Sequence, residues 1–568
     1  MKRKIALLGA AAAVALIPAS AMAERGSSGH VSIIYWQAPS ILNPYLSGGT
    51  KDVDSANIIL EPLARYDEEG MLVPWLAEEI PTVENGGVSE DLTSITWRLR
   101  EGLVWSDGTP VTSADAVFSA EYCMHPEGGC ASLRYFNDVE SVEALDELTI
   151  RINFSVPKPV PYSVFVGPYT PIIQAAQFAE CLGARAPECT EANFYPIGTG
   201  PFVVTDFRPN DVIQLEANQN YRDPNQPAFA TMTFRGGGDA TSAARAVMET
   251  GEMDYAWNLQ LAPDVIAEIA RGGRGQPIVA FGTLVERIEI NMTDPSPDLP
   301  ADIRSTREAP HPILTDIRVR EALSRAIDRE LLVEIGYGPT GEAACNLVPN
   351  PPIFRSTAND NCLEQDQDRA RELLEEAGWT PGADGIRVNA DGQRLVLDYL
   401  TSTNAVRQDF QALIQQWWRE IGVEANLRNV SASVFFGGDP GSPDTFQKFY
   451  ADVEMYANNF AGTDPEQYLG AYRCGLEPRP ATQWQGENIN RFCDERYDAL
   501  HRELAQTADL EERARIGREL NDILMQEYVI IPLVSRGRVS AHANNLGGVR
   551  LNTWDTEMWN VHEWYRAE

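Results

Sequence analysis

Residues 395–427 read LVLDYLTSTNAVRQDFQALIQQWWREIGVEANL. Leu395-Val396-Leu397-Asp398-Tyr399 predicts a strand. Phe410, Leu413, Ile414, Trp417 and Ile421 then recur at steps of three and four, the apolar stripe of a helix. Gly422 stands where a helix ending in a left-handed residue takes glycine. Val423 to Leu427 alternates as a second strand. A strand, a helix and a strand with short connections form a crossover unit, and its two strands lie parallel in one sheet, because a tight hairpin joins only antiparallel neighbours. The expected fold class is therefore α/β, with helices covering a parallel sheet.

The patterning continues outward from this unit. Ala370, Leu373, Leu374 and Ala377 predict another helix, with Asp368 as its cap and Gly378 as its stop. Closer to the N-terminus, Ile95-Thr96-Trp97-Arg98-Leu99 alternates as a strand and residues 102–110 read as turn. Thr112 or Ser113 then caps a helix through Ala116, Val117 and Ala120. No repeat or low-complexity linker interrupts the mixture. A chain of 568 residues is too long for one small core and suits two or three lobes, with 12 Trp, 19 Tyr and 19 Phe to fill them. Two α/β lobes facing each other enclose a cleft, the usual place for a ligand.

The first residues predict export. Lys2, Arg3 and Lys4 precede an apolar run from Ile5 to Ile17, and Ala21-Met22-Ala23 has the small-x-small form of a cleavage site, so residues 1–23 read as a secretory signal peptide. The apolar run is shorter than the ~20 residues that span a bilayer, and no Cys follows the cleavage site to carry a lipid. The mature protein is expected to be soluble, not membrane-embedded, and monomeric. The formal charge of −36 argues against nucleic acid or anionic membrane surfaces as partners. Eight cysteines fall as four near neighbours: Cys123 and Cys130, Cys181 and Cys189, Cys345 and Cys362, Cys474 and Cys493. An even count in an exported chain favours disulfide bonds, and local pairing is the simplest of the roughly 105 connectivities.

Catalytic patterns are missing from the sequence. The six histidines (His30, His125, His311, His501, His542, His562) form no HExxH or HxH, and no GxSxG elbow occurs. Arg235-Gly236-Gly237-Gly238-Asp239 lacks the Lys-Ser/Thr of a phosphate loop and reads as a turn. Glu364, Asp366 and Asp368 alternate like part of a calcium loop but lack its glycine and distal Glu, so an acid-rich helix N-terminus is the better reading. No metal, no cofactor and no enzymatic activity are expected; a secreted hydrolase remains only as a remote alternative.

Five blocks carry a resemblance. WRLREGLVWSDGTPVTSADAVF at 97–118 is the most specific. Glu61-Pro62-Leu63-Ala64-Arg65-Tyr66 with Leu76-Ala77-Glu78 lies upstream of it. PIGTGPF at 196–202 with Asn218 to Tyr221, METGEMDY at 248–255, and IRVREALSRAID at 317–328 follow in order. Together they resemble the family 5 extracellular solute-binding proteins, the oligopeptide and dipeptide binders of ABC importers, from about Val31 to the C-terminus. The resemblance implies a periplasmic binding protein type II-like fold, with two hinged α/β lobes and an extra inserted lobe. Its implied boundaries are 24–60, 194–285 and 530–568 for lobe I, 61–193 for the inserted lobe and 286–529 for lobe II, with crossings near Val285 and Ile530. It also implies a periplasmic protein that captures short peptides and delivers them to a membrane permease. An opine, an oligosaccharide or a metal chelate is the alternative ligand.

In peptide-binding relatives, an Asp in a Trp-x-x-Asp segment of the second lobe anchors the peptide α-ammonium. Here the matching stretch runs from Asn458 to Pro465. Phe460 takes the aromatic place, Thr463 stands where the anchoring Asp belongs, and Asp464 follows one step on. Either Asp464 anchors from a shifted backbone, or this protein does not bind a free amino terminus. Asp464 also suits a helix cap ahead of Pro465 and Glu466. Trp36, Trp257, Asn258, Tyr456, Asn458 and Trp484 complete the candidate ligand-binding set.

Overall fold

The computed structural model describes residues 24–567; the signal peptide expected at 1–23 lies outside them. Two sheets and a smaller third one organise the chain. In the first sheet the strands run in the order Gly275–Ala280, Arg538–Ala543, Tyr255–Ala256, His30–Tyr35, Thr231–Gly236, Val212–Ala217, Phe202–Arg208. His30–Tyr35 lies parallel to both its neighbours, with Ile33 opposite Tyr255 on one side and Phe234 on the other. Its apolar residues feed both faces: Val31, Ile33 and Tyr35 pack with Phe202 and Met232, while Ile34 packs with Ala243 and Val247 of the helix Ala240–Met248. That helix follows the glycine run at 236–238, where Gly237 and Gly238 take φ of +89° and +83°, and Asp239 caps it through Ser242.

The second sheet has the order Gly341–Ala343, Ile530–Arg536, Val285–Ile290, Val453–Asn458, Val396–Ser402, Glu424–Val430. The crossover unit forms as its periodicity predicts. Val396–Ser402 runs parallel to Glu424–Val430 with Val396 opposite Glu424, and the helix Ala405–Glu420 joins them. Phe410, Ile414 and Trp418 bury fully against Leu397 and Tyr399, each contributing about 2–3 kcal/mol by removal from water. Trp418 belongs to this stripe although the sequence reading left it out; its indole N–H donates to the Leu323 carbonyl.

The third sheet, of Ser94–Arg98, Thr149–Phe154 and Val139–Ala144, carries the helix Ser113–Met124. Thr112 caps this helix in a reciprocal box with Asp115. Gly198 and Gly200 are the tightest points where this part meets lobe I: a Cβ on either would lie 1.9 Å from the Ile59 carbonyl oxygen or 2.2 Å from that of Ile58. No larger residue fits there.

Two expectations need correction. Asp366, not Asp368, caps the helix Gln367–Glu376: its backbone is non-helical and its carboxylate accepts from the Arg369 N–H, while Asp368 lies inside the first turn. The chain crosses between the large sheets at 281–284 and again at Gly537, not near Ile530. Ile530–Arg536 pairs with Val285–Ile290, Ile531 opposite Ile288 and Ser535 opposite Val285, so it stays in lobe II. A uniformly apolar strand reads alike on either side of the boundary; only its hydrogen-bond partners decide. The four disulfides join 123 to 130, 181 to 189, 345 to 362 and 474 to 493. No helix among the described residues is long and apolar enough to cross a membrane.

Candidate functional site

The two large sheets face each other across a cleft at the carboxyl ends of their parallel strands, the usual ligand position in open α/β sheets. Gln37 follows His30–Tyr35, Trp257 and Asn258 follow Tyr255–Ala256, and Asn458 ends Val453–Asn458. All four line a small inner cavity of about 60 Å³.

From lobe I, Trp257 forms one wall. It stacks on Tyr35 with ring centroids 4.6 Å apart, and its indole N–H donates to Asp54 at 2.8 Å. Lys51 sits beside it in the short helix Thr50–Ala56, buried, with its ammonium 2.8 Å from Asp52 and 2.9 Å from the Ser40 hydroxyl. From lobe II, an aromatic wall of Phe436, Phe446 and Tyr456 faces them; Tyr456 meets Phe446 edge-on at 5.4 Å and Phe436 at 6.1 Å. Apolar faces of this size exclude water and strengthen every charge interaction beside them.

Charged groups complete the site. Arg407 comes from the crossover helix, Arg536 from the last strand of lobe II, and Arg538 from the first residue of lobe I beyond Gly537. Glu286, fully buried, accepts from Arg407 at 3.0 Å, from Arg536 at 3.2 Å and from the Tyr337 hydroxyl at 3.1 Å. Burial pushes its carboxyl up, but the two guanidiniums outweigh burial and hold it below the usual range. Glu557 lines the cavity and Asp54 lies behind it, under the Trp257 indole; burial pushes both carboxyls upward against the pull of Arg538.

A second chamber of about 450 Å³ adjoins the first. The strip Leu46–Lys51 of lobe I and residues 436–438 of lobe II form their common wall. The approach is close: a Cβ on Gly438 would lie 2.6 Å from the Leu46 carbonyl oxygen, and one on Gly49 would lie 3.1 Å from that of Phe436. Ile41, Phe194 and Val434 give this chamber apolar faces, and Asp439 is the one charged residue in its lining.

The nine residues singled out from the sequence divide into two groups. Trp257, Asn258, Tyr456 and Asn458 converge on the inner cavity. The other five do not line it. Trp36 braces it from behind, donating its indole N–H to the Asn258 carbonyl at 2.9 Å and so holding Asn258 at φ +52°. Phe460 is buried against Tyr468 at 5.1 Å, and its backbone N–H and C=O both pair with the Thr283 hydroxyl in the first crossing. Thr463 faces Gly70 of the inserted lobe. Trp484 meets Tyr450 edge-on at 5.7 Å. Asp464 is engaged twice: one oxygen accepts from the Glu466 N–H, and the other lies 2.8 Å from Arg513. Sequence reading missed Lys51, Arg407, Arg536 and Arg538. Their one legible trace is Arg536-Gly537-Arg538, two buried cations flanking a glycine inside an apolar strand run.

A bilobal cleft with two crossings and a mixed aromatic and charged lining defines a solute-binding protein. The chain belongs to the bacterial extracellular solute-binding proteins, family 5, whose model matches residues 71–476. It is 25% identical to the glutathione-binding protein GsiB of Escherichia coli (strain K12) over 511 residues, 89% of each chain. Its fold is similar to that of the oligopeptide-binding protein AppA from Bacillus subtilis, solved with a nonapeptide, at a TM-score of 0.80 and 19% identity over 96% of this chain and 100% of that one. NikZ from Campylobacter jejuni, solved with Ni(L-His), gives 0.77 and 21% over 95% and 100%.

Proposed function

We propose that this protein captures a short peptide in the interlobe cleft, in the periplasm, and delivers it to the membrane permease of an ABC importer without breaking any bond in it. The observation that carries this reading is the lining: one aromatic wall from each lobe, with charged groups at the crossing between them. The inner cavity of about 60 Å³ is several times smaller than the roughly 300–1,000 Å³ of sites that enclose drug-sized ligands, so peptide capture there goes with a parting of the lobes. Closure is then favoured by contacts to both lobes at once, since a ligand that binds the open and closed forms equally shifts nothing. Net binding of about 8 kcal/mol gives micromolar affinity, within reach of a few aromatic contacts and charge-assisted hydrogen bonds. Similarity to proteins named for glutathione and oligopeptide binding supports a peptide. A non-peptide solute is the second reading, favoured by the similarity to a protein solved with Ni(L-His).

Calorimetric titration with a di- to hexapeptide library, set against opines, sugars and metal chelates, tests this. Micromolar heats with some peptides, with the peptides recovered intact, are expected. Heat with none of them rejects the peptide reading, and chemical conversion of a ligand rejects the transport role.

A further inference from the structure

The third sheet and its helix lie in the chain between His30–Tyr35 and Phe202–Arg208, both strands of the first sheet. The inserted lobe is therefore tied covalently to lobe II only through lobe I. It nevertheless presses on lobe II along a seam away from the cleft. Lys158, 1% exposed, places its ammonium 3.1 Å from Glu466 of lobe II and 3.2 Å from Asp138 beside it. Arg134 lies 3.0 Å from Glu487 of lobe II, with its guanidinium over the rings of Tyr135 at 4.7 Å and Tyr169 at 5.7 Å. Ala461 packs against the apolar core of the inserted lobe. Backbones also meet: a Cβ on Gly129 would stand 2.8 Å from the Thr482 carbonyl oxygen. None of these residues lines either chamber of the cleft.

The seam is built unlike the interior of a lobe. Arg134, Glu477 and Glu487 line a cavity of about 90 Å³ in it. Arg134 Nε and the Asn137 Nδ2 that faces Gly470 are buried without a hydrogen-bond partner on one side, as are Glu477 Oε2 and Glu487 Oε2 on the other. A permanent core rarely strands polar atoms in this way, because each forfeits its hydration with nothing in return. Surfaces that part restore that hydration each time they open, and interfaces between domains are accordingly more polar than cores. The two ion pairs differ in strength. Burial pushes the Glu487 carboxyl up to about 7 against the pull of Arg134. Burial also acts on Glu466, but Lys158 and Arg513 outweigh it and hold that carboxyl below the usual range. Lys158 with Glu466 is thus the pair that keeps its charges in the closed seam.

We propose that this seam is a clasp: the inserted lobe and lobe II make and break it as the lobes close and open, and the Lys158–Glu466 pair holds the closed form from outside the binding site. The clasp goes beyond the capture reading, because it acts through contacts that no ligand touches and serves a ligand of any chemistry.

Distances between spin labels test this. The four disulfides account for all eight cysteines, so labels attach only at introduced ones: Ala144→Cys in the inserted lobe and Gln506→Cys in lobe II, both exposed positions. The labelled protein is measured alone and with a tryptic casein digest. A short distance is expected in the parent protein in at least one of these states. Its population relative to the long distance is expected to fall at least tenfold in Lys158→Met, since removing one partner leaves the other charge buried and poorly compensated. Glu466 keeps Arg513 at 2.8 Å, so Tm is expected to change by only a few degrees. Should Lys158→Met fail to fold, Arg134→Gln decides in its place, with a fall of at least threefold expected. An unchanged ratio overturns the proposal, and so does a parent protein that shows only the long distance in both states. A digest that moves neither protein counts against peptide capture, while the comparison without ligand still decides the clasp.

Discussion

The Asp464 carboxylate lies 2.8 Å from the Arg513 guanidinium, and its second oxygen accepts from the Glu466 N–H at 2.9 Å, at the start of the helix Glu466–Gly470. Arg513 also reaches Glu466 at 2.8 Å, and Glu466 in turn lies 3.1 Å from Lys158 of the inserted lobe. Asp464 thus belongs to a buried ionic chain between lobes. The chemistry that makes an aspartate an anchor for a ligand amine is already satisfied from within. Asp464→Asn is therefore expected to lower stability by about 2 kcal/mol, the typical contribution of a hydrogen bond to a charged group, and to change ligand affinity less than twofold. Urea unfolding and titration calorimetry on the same variant check the two halves; a tenfold loss of affinity at unchanged stability would restore Asp464 as an anchor.

Closure depends on two backbones meeting. A Cβ at Gly438 would stand 2.6 Å from the Leu46 carbonyl oxygen, which is main chain and does not yield as a side-chain tip does. Gly438→Val is expected to hold the lobes apart, weakening ligand binding at least tenfold while leaving Tm within a few degrees, since each lobe keeps its own core. Small-angle scattering should show no contraction of the variant on adding ligand. Contraction equal to that of the parent protein would refute the contact.

His501 is buried with Nε2 2.9 Å from the Glu466 carbonyl and no partner at Nδ1. Burial pushes its pKa down to about 4, opposed by Glu466 and reinforced by Arg473 and Lys158. A histidine held neutral in the fold contributes stability that is complete above its ordinary pKa of about 6.5 and is lost as pH falls toward 4. Up to about 3 kcal/mol is expected to disappear over that interval. Comparing urea midpoints at pH 7 and 4.5 for the parent protein and for His501→Gln checks it: the variant should lose less on acidification, and parallel losses would show that His501 does not titrate in this way.

The bond between Cys474 and Cys493 closes a loop of 19 residues that includes Trp484 and Asn490. Restricting the unfolded chain over that length contributes roughly 3 kcal/mol in the loop-entropy model. Replacing both cysteines with serine is expected to lower the denaturant midpoint accordingly, with ligand affinity kept within about threefold because neither cysteine lines the cavity. A lost cleft would show instead that the loop positions the aromatic wall through Gln447 and Gln485, which hydrogen-bond at 2.9 Å.

Much of the architecture was legible before any coordinates. The period of Phe410, Ile414 and Trp417 and the flanking strands define the crossover unit, because local geometry sets which residues share a face. Cysteine spacing pointed to the four bonds that formed, since short loops close most readily. Two aromatic residues, Trp257 just after the strand Tyr255–Ala256 and Tyr456 within the strand Val453–Asn458, were also within reach. Asp366 was missed as a cap for a local reason: two acids two residues apart compete, and backbone conformation chooses between them.

By itself, then, the order of residues determined the α/β class, the helical stripes and the disulfide partners, all governed by interactions over a few turns of chain. Tertiary structure alone decided that Lys51, Arg407, Arg536 and Arg538 share one cavity, that the second crossing falls at Gly537, and that Asp464 is bound by Arg513. Charge balance at a buried point depends on groups hundreds of residues apart, and no local pattern records which of them will meet.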